Sequence, residues 1–235
     1  MGDISIREYI RWPPASASEP TSTVVLTSPE RRFVDVRIIP DGGGPGPSGS
    51  GSGRSSSSSS LDWAIAGTSS RSGPDGGRQS AVWNHWVDSR TTGPMRDEAE
   101  VEPRADGSER EWGRMLNPDT GLEAEYEEVW RSEELVAAAG GCVVLQTEED
   151  GARGERGVVM RLGQYCQGIL RVGEEITVER WVWSEGGGAW ERVARFGEDQ
   201  LPAQAHVLVD REDGWEVGGE VECSGRVWNV VEASG

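Results

Sequence analysis

The chain has 235 residues, with 41 acidic side chains, 23 arginines, no lysine and a net charge of −18. The absence of lysine excludes Schiff-base chemistry, a Walker-type nucleotide site and a lysine general base. The charge is uneven: residues 1–115 hold 16 acids against 13 arginines and residues 116–235 hold 25 against 10, so the second half repels a phosphate backbone and nucleic acid is not an expected partner.

From the N-terminus, MGDISIREYI lacks the apolar core of a secretion signal, and Ile6 stands where a myristoylation signal needs Ser or Thr. No apolar run approaches the length of about 18 residues that spans a bilayer, so no membrane role is expected. RRFVDVRII (31–39) alternates, with Phe33, Asp35 and Arg37 on one side and Val34, Val36 and Ile38 on the other, the period of a strand. Residues 41–60 carry no hydrophobic side chain and read as a Gly/Ser/Pro-rich loop insertion that cannot contribute to a core. AVWNHWVD (81–88) reads as a strand with Ala81, Trp83, His85 and Val87 on one face and Val82, Asn84, Trp86 and Asp88 on the other.

LEAEYEEVWR (122–131) is glutamate-rich but alternates cleanly, placing Leu122, Ala124, Tyr126 and Trp130 on one face. RSEELVAAAG (131–140) is the one stretch with helical character, ending at a glycine pair. EEITVERWVW (174–183) and RVWNVVEA (226–233) return to strand periodicity, and turn signals such as Asn117-Pro-Asp-Thr-Gly121 separate the strands. The expectation from the strands is an all-β protein, a sandwich or a barrel, in two halves that each hold enough residues for an antiparallel barrel of about eight strands. The N-terminal one occupies residues 1–132 and an acidic C-terminal one residues 141–235, with one short helix between or beside them.

The chemistry available is limited. Two histidines, His85 and His206, exclude a multi-histidine metal centre and leave only a single axial haem ligand open at His85. Cys142, Cys166 and Cys223 form no C-x-x-C pair and read as buried thiols in a reducing compartment, with Cys166 the one candidate nucleophile. The adjacent carboxylate pairs point to opposite faces of their strands and form no acid–base couple. Gly214, Gly218 and Gly219 read as hairpin punctuation, and the serines at 55–60 as low complexity open to phosphorylation. No catalytic residue, cofactor or metal is therefore expected. Of the 11 tryptophans most fill cores, and Trp63, Trp86, Tyr126 and Trp130 with His85 are the candidates for lining a barrel that holds a small apolar ligand.

LDWAIAGTSS (61–70), WNHWVDSRTT (83–92), NPDTGLEAEYEEVWR (117–131) and RLGQYCQGIL (161–170), taken together, resemble the fungal Hri-one family. The resemblance implies two tandem antiparallel barrels of the lipocalin or calycin kind, a cytoplasmic and nuclear location, no assigned enzymatic activity, and interaction with a casein-kinase-1-type protein kinase. It implies no catalytic residues to place on this chain.

Overall fold

A computed structural model describes residues 2–41, 59–136, 141–148, 154–203, 207 and 214–234, and its named elements are fifteen strands. In the first half these are β1 (Asp3–Arg11), β2 (Ser22–Thr27), β3 (Arg32–Ile39), β4 (Ser60–Ser72), β5 (Gln79–Asp88), β6 (Met95–Pro103), β7 (Glu109–Asn117) and β8 (Leu122–Glu133). In the second they are β9 (Cys142–Thr147), β10 (Glu155–Leu162), β11 (Tyr165–Val172), β12 (Glu175–Ser184), β13 (Ala189–Phe196), β14 (Glu220–Cys223) and β15 (Arg226–Ser234).

β1 to β8 pair each with the next and β8 with β1, closing an up-and-down antiparallel barrel. The Asn117–Gly121 turn shows how the sequence sets the hairpins. The Asn117 side chain accepts from the Asp119 amide at 2.8 Å, and Gly121 takes the left-handed φ of 67° that a side chain would oppose. The helix expected over 131–140 is not what the described residues form. Arg131, Ser132 and Glu133 pair with Ile6, Ser5 and Ile4 to complete β8, because closing the barrel offers their backbone ladder partners. Residues 137–140 lie outside the described residues, as do 42–58 of the loop insertion, including the serines 55–58.

The second half forms one seven-stranded sheet in the order β13-β12-β11-β10-β9-β15-β14, with β13 and β14 at its two ends, and not a second closed barrel among the described residues. The expectation of tandem closed barrels is thus met in the first half only. The reason lies in where its faces go. One face of the sheet (Val144, Val158, Met160, Leu162, Ile169, Val178) packs against the outer face of the barrel, where Ile4, Val24, Leu26, Val34, Val36, Ala64, Ala66 and Val87 form the facing layer. The other face builds a separate core around Trp228, Leu145, Val159, Leu170 and Trp181. Burial of each such aliphatic side chain stabilises by roughly 1.5–3 kcal/mol, so the barrel and the sheet share their largest stabilising contact.

Polar stitches fix the register of that contact. Gln167, fully buried on β11, donates to the Val24 and Val34 carbonyls at 3.1 and 3.0 Å. Arg180 on β12 donates to Gln167 Oε1 at 2.7 Å, to Ser22 Oγ at 2.9 Å and to the Val36 carbonyl at 2.5 Å. Arg171 reaches the Asp88 carbonyl with two nitrogens, at 3.0 and 2.8 Å. Because the apolar face of β1–β5 is committed outward to the sheet, the opposite and more polar face of those strands must line the barrel.

Candidate functional site: the barrel interior

β3 shows the consequence most directly. Val34, Val36 and Ile38 leave the barrel for the shared core, while Phe33, Asp35 and Arg37 enter its lumen. The same alternation sends in Asp3 and Ser5 from β1, Trp63 and Ile65 from β4, Trp83 and His85 from β5, Glu109 and Glu111 from β7, and Tyr126, Glu128 and Trp130 from β8. Together they surround a cavity of about 100 Å³.

The charged groups in it are organised. Arg7, on β1, holds Glu128 at 2.5 Å and Glu19 at 2.7 Å. Glu19 is brought there because the chain after β1 folds back through an Ile10–Ser18 bridge. Arg37 pairs with Asp35 at 2.8 Å and with Glu128 at 3.5 Å, and its guanidinium lies 5.0 Å from the centre of the Trp63 ring. Arg90 covers the same ring at 4.4 Å. The Tyr126 hydroxyl donates to Glu111 at 2.8 Å. Arg71 grips Glu109 with two nitrogens, at 2.5 and 2.6 Å.

His85 is clamped at both ring nitrogens. Nδ1 lies 2.9 Å from Asp88, and Nε2 lies 3.2 Å from Asp97, too bent for a good hydrogen bond but close enough for an ionic contact. Burial opposes the imidazolium, yet the two carboxylates outweigh it and raise the pKa from 6.5 to about 9. Asp88 responds in the opposite direction: burial raises it, but His85, the Trp63 indole N–H and the Arg90 amide bring it below its ordinary value. Glu111 has the reverse environment. Burial, and then the nearby Glu128 carboxylate, push its pKa up to about 8, so the carboxyl is mostly protonated at neutral pH.

These shifts set a pH profile. His85 has a folded pKa above its unfolded one, so its contribution is fully present below pH 6.5 and lost as pH rises through 9. Glu111 is likewise raised, from 4.5, and its ionisation destabilises the fold as pH rises towards 8. Asp88 is lowered, so its contribution holds above its ordinary 3.8 and fades in acid. The melting temperature is expected to peak at about pH 4–5 and to fall steadily towards about pH 9. Calorimetry showing a melting temperature that climbs between those values would contradict the lumen electrostatics.

Four of the five residues expected in a barrel interior are there: Trp63, His85, Tyr126 and Trp130. Trp86 is not. It packs outside, against the core shared with the sheet. Alternation already sets it on the face opposite His85, and a β-bulge lies at the same point: Ala66 pairs with Val87 and Gly67 with His85, leaving Trp86 without a partner. Beyond the bulge the faces exchange, so Val87 points out to the shared core and Asp88, expected opposite to His85, turns in towards it. Gly67 makes this possible, since a Cβ there would lie 1.9 Å from the Asn84 carbonyl oxygen. Sequence reasoning missed Trp83, Asp35, Arg37, Glu111 and Glu128. The available signal was parity: Asp35 and Arg37 alternate with Phe33, and Glu128 lies midway between Tyr126 and Trp130.

Nucleophilic chemistry finds no site among the described residues. Cys166 is fully buried on the far face of the second sheet, where desolvation drives its thiol pKa far up, while His85 lies in the barrel lumen. His206 is outside the described residues. No three His, Cys, Asp or Glu side chains among the described residues converge on a point that would hold a metal ion.

Fold and site together define an antiparallel eight-stranded barrel with an ion-paired, aromatic-walled lumen, backed by a seven-stranded sheet. The family model described as Protein HRI1 matches residues 3–232, and the chain belongs to that family. Among solved structures it is similar to the crystal structure of an uncharacterised protein, YLR301w, from Saccharomyces cerevisiae. The TM-score is 0.72 at 17% identity, covering 99% of this chain and 98% of that one, a likeness of fold. No curated protein matches the sequence.

Proposed function

We propose that this protein is a non-enzymatic binding protein whose barrel lumen takes a small polar molecule. One observation carries the reading: a cavity walled by ion pairs and aromatic rings in which buried polar atoms, Asp35 Oδ1 and Trp130 Nε1, have no hydrogen-bond partner. Buried polar atoms are almost always satisfied, and two orphans on residues that line one cavity are groups that a bound polar guest, or water, could satisfy. An apolar guest is disfavoured by the same walls, because it would strand the carboxylates and guanidiniums without solvent. Haem is disfavoured further, since both nitrogens of His85 are already held by carboxylates. The up-and-down order of the barrel supports kinship with the calycins, whose barrels also carry their guests inside.

The family resemblance adds a second, compatible role as the partner of a casein-kinase-1-type kinase in the cytoplasm and nucleus. Thermal-shift titration separates the ligand readings. Small polar metabolites are expected to stabilise the protein, while fatty acids, retinol and haem leave its melting temperature unchanged. The reverse ranking sinks the polar-lumen reading. Co-precipitation from fungal extract tests the other role, which fails if no casein-kinase-1-type kinase is recovered.

A further inference from the structure

Resting on the reading of the lumen as a polar binding site, we infer that its guest is a small organic cation, an alkylammonium or guanidinium compound, seated beside Glu111 against the tryptophan walls. The charge pattern points that way. Asp3, Asp35, Asp97, Glu109, Glu111 and Glu128 line the cavity against the guanidiniums of Arg31, Arg37 and Arg71 and the His85 ring. Arg7 and Arg37 share Glu128, while Glu111 is bonded by the Tyr126 hydroxyl, with Arg37 and Arg71 as more distant charges. Asp35 bonds Arg37 through Oδ2 alone, and its Oδ1 is buried without a donor. An excess of carboxyl groups and one acceptor without a donor are complementary to an N–H-bearing cation.

The walls agree with that chemistry. The Trp63 ring already lies against the guanidiniums of Arg37, from the lumen, and Arg90, and Trp83 lines the same cavity. A hydroxyl or imine nitrogen on the guest would accept the unpaired indole N–H of Trp130. Size sets an upper bound. A cavity of about 100 Å³ holds about three waters at roughly 30 Å³ each, which corresponds to a guest of about four or five non-hydrogen atoms.

Proton linkage gives a readout that needs no variant. Facing Glu111 are Tyr126 and Glu128 from β8, Arg37 from β3, Arg71 from β4 and Glu109 on its own strand. Their net effect with burial keeps the carboxyl protonated, so a cation seated there must expel that proton. Binding is therefore expected to tighten as pH rises from about 6.5 to about 8.5 and to release a proton to the buffer.

The experiment is isothermal titration of the full chain with methylguanidine, ethanolamine and ethylamine, with acetate and phosphate as anions and glycerol as a neutral probe. The expected result is binding of at least one cation, tightening with pH, and weakened at least about tenfold by Glu111→Gln, which keeps the shape and removes the charge. The melting curve of Glu111→Gln confirms that it folds. Cation binding that ignores both pH and Glu111→Gln overturns the inference. Binding confined to acetate or phosphate also overturns it, placing the site at Arg31 and Arg71, while the polar-lumen reading survives. Binding of no probe, with small metabolites giving no thermal shift, removes both.

Discussion

Replacing Arg7 by leucine is expected to cost about 3–5 kcal/mol of stability, the range for removing one partner of a buried ion pair. Arg7 is 5% exposed and Glu128 1%. Without the guanidinium, Glu128 retains only Arg37, at 3.5 Å, while Glu111 beside it already resists ionisation. Glu19 loses both of its bonds to Arg7 and Thr21 loses its donor from Nη2. The loss therefore spreads from β1 to β8 and to the segment that crosses the end of the barrel. The stranded charge accounts for most of it, and the double variant Arg7→Leu/Glu128→Leu tests that account directly. Removing both partners is expected to recover more than half of the loss, since a buried pair replaced by apolar groups is often nearly neutral. Urea unfolding of the two variants measures both numbers. A single variant costing less than about 1 kcal/mol would show that water reaches Glu128.

The polar lumen follows from the sheet behind it, and this is also why the sequence was harder to read at the site than in the fold. In RRFVDVRII the two faces are plain in the alternation, yet nothing local says which one is inside. An isolated barrel would turn Val34, Val36 and Ile38 inward. Here β9–β15 supply a larger apolar surface on the outside, and the aliphatic face is spent there. Asp35 and Arg37 were legible as strand residues and illegible as lumen residues, because their direction depends on a sheet more than a hundred positions away in the chain.

AVWNHWVD presents a different limit. Its strand and its contribution of His85 to the interior follow from periodicity, but the bulge at Trp86 does not, since it depends on Gly67 across the ladder. One unpaired residue turned Val87 out to the shared core and an aspartate in, and that aspartate helps hold His85 charged. The helical reading does not hold over the described part, 131–136, for a related reason. Local propensity there is weak, and strand pairing with Ile4–Ile6 outweighs it over Arg131–Glu133.

The second large effect is expected on the far side of the molecule. Trp228 is fully buried on β15, between Val221 of β14 and Thr147 of β9, and its ring lies on Gly157, where a Cβ would come within 2.6 Å of it. Trp228→Ala is expected to cost about 3–5 kcal/mol, because the large void left by an indole over a glycine has few neighbours able to fill it. The indole N–H is buried without a partner, so its removal returns part of the loss and favours the lower end of that range. Trp228→Phe, which keeps a ring over Gly157, is expected to cost distinctly less. The core around Trp228 lies on the opposite face of the second sheet from the barrel, so below its melting temperature Trp228→Ala should bind a lumen ligand as the parent does. Denaturant unfolding and ligand titration on the same preparation separate the two quantities. Lost binding in a protein that is still folded would mean that the far core controls the shape of the lumen through the sheet between them, and the barrel could no longer be treated as a preformed site.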